Sequence, residues 1–171
     1  MKLVRLWVAL VCCSAVAATP VLAQDGEQLL GHFKKWSAMH YEEDGQRICV
    51  MWSAPESAGR GEREQDPHAF VSHRAKERVY NEVSIQIGVP LKAGSILSAN
   101  IGSQRFTLYT DGDSAWNNSL KEDRRMIRAM RAGRTLEVNA TTKAGRKLKD
   151  RYSLFGFTSA HKSINEACSA R

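Results

Sequence analysis

Short runs in which apolar and polar residues alternate constrain the fold more than anything else in this chain. They cover residues 68–73, 83–87, 95–101, 106–110, 136–140 and 152–157, and a run of buried character at 48–52 precedes them. Successive side chains of an extended strand point to opposite faces. Val83, Ile85 and Ile87 therefore share one face, as do Phe106 with Leu108, and Leu136 with Val138 and Ala140. Breaks at 92–94, 111–113 and 143–146 supply turn chemistry between the runs. About seven short strands in one domain of this size predict a mostly β fold, a two-sheet antiparallel sandwich.

Two helices interrupt the strands. Ser119 and Glu122 have capping-box spacing, and Gly133 fits the position just past the helix end. Between them Ile127 and Met130 are expected inward, while Arg124, Arg128 and Arg131 recur at i, i+4 and i+7 along another face. A second helix is expected to begin near Thr158, bury Ala160, Ile164 and Ala167, and end at Cys168. Residues 53–67 form the longest polar stretch marked by Gly and Pro, expected to be the most mobile loop and the one that meets a partner.

The amino terminus reads as an export signal. Lys2 and Arg5 precede an apolar stretch over residues 6–18, Pro20 ends it, and Val21, Leu22 and Ala23 present a peptidase site, so residues 1–23 are expected to be cleaved before Gln24. The apolar stretch is shorter than the roughly 20 residues a membrane-spanning helix needs. Residues 24–32 then read as a flexible lead-in and 33–171 as a single domain, its packed part opening with Phe33 and Trp36. Cys12 and Cys13 leave with the signal. Cys49 and Cys168 remain, without CxxC spacing, and an oxidising compartment favours one disulfide between them. Closing so long a loop is worth roughly 4–5 kcal/mol in the chain-entropy picture.

The formal charge of the whole chain is +7, and it is unevenly placed. Residues 121–151 hold eleven Lys or Arg against four acids. A basic concentration outside the cytoplasm points to anionic partners such as lipid headgroups, sulfated glycans or acidic proteins, with Arg124, Arg128, Arg131, Arg146, Lys147 and Lys149 as the candidate patch. Its plainer reading is a solvated surface. Nucleic acid is not expected as a partner, whereas peripheral membrane contact is compatible with the charge.

Catalytic signatures are missing. His68 and His73 stand five apart on a strand and so face opposite ways, and they match no zinc-ligand spacing. Asp111, Gly112 and Asp113 lack the remaining ligands of a calcium loop. There is no nucleophile elbow and no phosphate loop. Neither cofactor nor metal is expected, and no catalytic residue is assigned. The aromatic residues Tyr80, Tyr109, Trp116 and Tyr152 read as core rather than as ligand platforms.

Several segments in order carry a resemblance: Trp36 followed by Ile48-Cys49-Val50-Met51; Val71-Ser72-His73-Arg74; Asn81-Glu82-Val83-Ser84; Gly102 with Phe106-Thr107-Leu108; Asp113-Ser114-Ala115-Trp116; Ala129-Met130-Arg131-Ala132-Gly133; and Tyr152-Ser153-Leu154-Phe155-Gly156-Phe157 running to Ala167-Cys168. Over about residues 33–168 the chain resembles the invasion-associated locus B family of exported bacterial proteins. The resemblance implies an immunoglobulin-like β-sandwich held in the periplasm or at the outer membrane. It also implies a non-enzymatic domain that binds an envelope or host-surface component and contributes to host-cell entry, with no catalytic residues to carry over. A periplasmic structural or stress protein, and an envelope-modifying hydrolase, are the alternative functions.

Overall fold

The computed structural model describes residues 26–59, 61 and 63–169, so the expected export signal over 1–23 lies outside the described residues. Ten strands follow one another as β1 (Gln28–Phe33), β2 (Trp36–Glu43), β3 (Gln46–Ser53), β4 (His68–Arg74), β5 (Val79–Gln86), β6 (Ile96–Ile101), β7 (Gln104–Asp111), β8 (Ser114–Trp116), β9 (Thr135–Thr141) and β10 (Lys147–Ser153). Helix α1 (Leu120–Ala132) lies between β8 and β9, and α2 (Phe157–Ala167) closes the chain. In β4 and β9 the alternation read from the sequence is the alternation of burial, and β10 also buries every second residue, although its residues 147–151 lie before the strand expected there.

All pairings are antiparallel, in the order β1-β2-β3-β4-β5-β8-β7-β6-β9-β10. The expected two sheets are thus one hydrogen-bonded sheet, because the three-residue strand β8 pairs with β5 on one side and β7 on the other. The far edge returns to the near one. Ser57, just past β3, bridges Arg151 of β10, and the Trp36 indole donates to the Ser153 carbonyl at 3.0 Å. The two halves so enclose one core, which includes Met51, Val71, Ile85, Leu97, Phe106, Leu136 and Tyr152. The result is the mostly β, immunoglobulin-like sandwich with two helices and one disulfide. Tyr152 is core as expected, whereas Tyr109 is half exposed and stacks on Trp116 across the outer face.

Four local expectations are corrected. The lead-in 24–32 contains β1, an edge strand with an irregular register between Leu29 and Gly31. The strand expected over 152–157 ends at Ser153, and Phe157 already begins α2. Gly156 makes that break. Its φ is +97°, and a Cβ there would stand 1.8 Å from the Phe33 carbonyl oxygen, so only glycine lets the chain turn against β1. Phe157 is thereby turned inward, edge-on to Trp36 with ring centroids 5.0 Å apart.

Gly133 does cap α1, but in extended conformation (φ −86°, ψ 172°) rather than left-handed. Packing explains the residue, since a Cβ would meet Ile101 Cγ2 at 2.4 Å. At the other end Ser119 accepts from the Glu122 N–H, while the Glu122 carboxylate is drawn to Arg125 instead of reaching back.

The fourth correction concerns the polar loop. Arg63 reaches under it to Asp150 of β10 with two contacts, 2.6 and 3.0 Å, and also donates to the carbonyls of Ile87 and Gly59. Both side chains are buried. The Gly59 N–H donates to the same carboxylate at 2.8 Å. A loop tied down by a buried, two-pronged ion pair is an anchored cover rather than a free arm.

Candidate anion-binding site

The six residues of the expected basic patch do not form one surface. Arg124, Arg128 and Arg131 line a depression between α1 and α2. Arg146 borders a different depression beside Arg63, Glu64 and Pro90, and Lys147 and Lys149 line a third beside Ile96, Ser98 and Asn139. Lys149 is also paired with Glu137 at 3.1 Å. The Arg146 depression, at about 610 Å³, is larger than the ≈ 250 Å³ hollow of the α1 arginines. It is a seam between turns, however, and Glu64 opposes its positive charge. Convergent side chains are found in the smaller one.

Helix periodicity sets the arginine row. With Met126, Ile127, Ala129 and Met130 buried, positions 124, 128 and 131 are left on the solvent side. None of the three is in an ion pair or side-chain hydrogen bond among the described residues. Arg125 behaves otherwise: it lies 3.9 Å over the Phe106 ring, pairs with Glu122 at 2.8 Å and donates to the Arg105 carbonyl. It fastens α1 to β7.

Beneath the arginines lies a closed ring of four hydrogen bonds. The Asn81 N–H donates to His73 Nδ1 at 3.0 Å, so His73 carries its proton on Nε2, which donates to Asn165 Oδ1 at 2.7 Å. The Asn165 amide then donates to His161 Nδ1 at 3.3 Å, and His161 Nε2 donates to Asn81 Oδ1 at 2.6 Å. This is the one assignment of protons that satisfies all four contacts. The Ser72 carbonyl also lies 3.0 Å from His73 Nδ1, but that nitrogen has no proton to give it.

Both rings are therefore neutral, and burial keeps them so. Burial lowers the pKa of His73, and burial with the nearby His73 and Arg131 pushes that of His161 down to about 4.

Three elements deliver the ring. His73 is on the buried face of β4, opposite Cys49 of β3. Asn81 sits where the β4–β5 register shifts, with φ +64°, a conformation asparagine tolerates better than most residues. His161 and Asn165 are one turn apart on α2, and Cys168 follows on the same face. The disulfide joins Cys168 to Cys49 as expected, with Cα atoms 6.0 Å apart. The sequence reads His73 as an ordinary strand histidine with its side chain opposite to that of His68, and it does face the other way; of its two ring partners one is the Asn81 N–H on the next strand, and the other, Asn165, comes from a helix 92 positions later, which no local pattern reveals.

A family model described as invasion associated locus B (IalB) protein matches residues 36–165, which include the disulfide's first half, the arginine row and the whole ring. The chain belongs to the IalB family. The crystal structure of invasion associated protein b from Bartonella henselae superposes with a TM-score of 0.55 and 14% identity, covering 81% of this chain and 96% of that one. At that identity the likeness speaks for the IalB fold alone. No curated protein matches the chain. Among the described residues no group of three His, Cys, Asp or Glu could hold a metal, and no helix is long and apolar enough to cross a membrane.

Proposed function

We propose that this IalB-family protein is an exported, non-enzymatic binding domain that attaches to an anionic envelope or host-surface component through the arginine row of α1. One observation carries the reading: three guanidinium groups converge on one depression whose lining contains no carboxylate. Three unneutralised cations at one place create a local positive field that water and salt screen only over about 8–10 Å. The histidines support the non-enzymatic part. Each has both ring nitrogens engaged, and neither has an acid beside it, so neither is poised as a general base. Export rests on the signal-like residues 1–23 and on the family.

The test is charge reversal. Arg124→Glu, Arg128→Glu and Arg131→Glu together should abolish binding to vesicles or glycans of negative charge, and binding by the unaltered protein should weaken steeply with added salt. Salt-independent binding, or binding untouched by the triple variant, would remove the arginine row from the account.

A further inference from the structure

The direction of the hydrogen-bond ring decides what the hollow above it can recognise. Both asparagine oxygens are engaged in the ring, Asn81 Oδ1 by His161 and Asn165 Oδ1 by His73. The amide ends are not. Asn81 Nδ2 makes no hydrogen bond among the described residues, and Asn165 Nδ2 spends one N–H on His161 and keeps the other. Asn81 and Asn165 both line the hollow, together with Arg124, Arg128 and Arg131. The uncommitted donors there outnumber the acceptors: three guanidiniums and two carboxamide nitrogens stand against the second lone pairs of the two asparagine oxygens. His161 adds no acceptor, because it uses its only lone pair on Asn165.

A donor-rich hollow discriminates by chemistry. Sugar hydroxyls, which give and take hydrogen bonds, find few acceptors there, and ammonium groups are repelled. A phosphate monoester fits: at neutral pH it carries between one and a half and two negative charges on three strong acceptor oxygens. Phosphodiesters offer two free oxygens and a single charge. Arginine is moreover the side chain whose planar fork best matches such oxygens.

We infer that the α1–α2 hollow is a site for a terminal phosphate monoester, held by Arg124, Arg128 and Arg131 with the carboxamides of Asn81 and Asn165. The inference rests on the arginine-row reading above and narrows its ligand. The polarity of the ring, fixed from the Asn81 N–H through two neutral histidines, leaves an uncommitted amide N–H on each of the two asparagines that line the hollow. The bulge at Asn81 serves this arrangement, since it places the residue's N–H on His73 and its side chain at the hollow.

Two measurements on the protein decide it. Inorganic phosphate is titrated while the side-chain amide signals of Asn81 and Asn165 are followed by NMR. Vesicles of equal surface charge, bearing either a phosphate-monoester or a phosphodiester headgroup, are then compared by sedimentation. Expected are saturable shifts of both amide pairs and about tenfold tighter binding to the monoester vesicles, a preference that Asn81→Asp removes. That variant keeps an oxygen for His161 and a residue at ease with positive φ. Shifts with phosphate but no vesicle binding also support the site, with a soluble phosphate as its source. Equal, salt-sensitive binding to both vesicles with silent amides would overturn the monoester site and leave the arginine row standing. Silence in both measurements would overturn both.

Discussion

At the scale of single residues, burial separates the ion pairs that hold this protein together from those that decorate it. The Arg63–Asp150 pair has side chains 9% and 1% exposed, against 60% and 40% for Lys149–Glu137. Removing Asp150 strands a buried guanidinium and leaves the Gly59 N–H without its acceptor. Asp150→Ala should therefore cost roughly 3–5 kcal/mol in urea unfolding, whereas Glu137→Gln should cost under about 1 kcal/mol. Equal losses would contradict the distinction. His161 makes a second residue-scale prediction. Its folded pKa is depressed to about 4, below an unfolded value of about 6.5. Its contribution to stability is complete above the unfolded pKa and is lost as pH falls from there through the folded pKa, because the unfolded chain takes up the proton first. The urea midpoint should fall over that window, and less so in His161→Gln. Asp123, whose carboxyl burial raises, titrates in both proteins and drops out of the comparison.

At the scale of elements, α2 is attached where the site is built. His161, Asn165 and Cys168 occupy successive turns of one helix face, and the last two meet neighbouring positions of the sheet, His73 on β4 and Cys49 on β3. The disulfide closes 119 residues of separation. Replacing both cysteines by serine should cost roughly 4–5 kcal/mol if the chain-entropy account holds, and should weaken anion binding, because α2 supplies one wall of the hollow. A cysteine-free variant with unchanged midpoint and unchanged binding would refute that coupling. Helix α1 was readable to the residue, since Ser119 and Gly133 bound an unbroken amphipathic stretch. The interior strands β3 to β7 and β9 were readable because one face of each is buried, whereas β2 and the three-residue β8, interior too, were not. β1 was not: an edge strand with an irregular register and both faces partly wet has no alternation to show. Both ends of β10 differ from the expected run at 152–157: its start at Lys147 is hidden by the charged residues on its wet face, and Phe157 is as apolar as a strand residue, so only the contact between Gly156 and Phe33 marks it as a helix start.

For the whole molecule, a single sheet folded at β8 brings β4, β5, α1 and α2 to one place, and the proposed site lies there. This explains what sequence could and could not disclose about it. Arg124, Arg128 and Arg131 were visible as a row, because helical spacing is local. That Arg146, Lys147 and Lys149 line other depressions, and that His161 and two asparagines line this one with His73 hydrogen-bonded to both asparagines, depends on chain crossings no spacing encodes. The same geometry supplies the most direct test. Affinity for anionic vesicles should be measured side by side for the unaltered protein, for R124E/R128E/R131E, and for R146E/K147E/K149E, which makes the same change in net charge. The account predicts that the α1 variant loses binding while the β10 variant retains most of it. Equal losses in the two would show that only total charge matters and would contradict a site between α1 and α2.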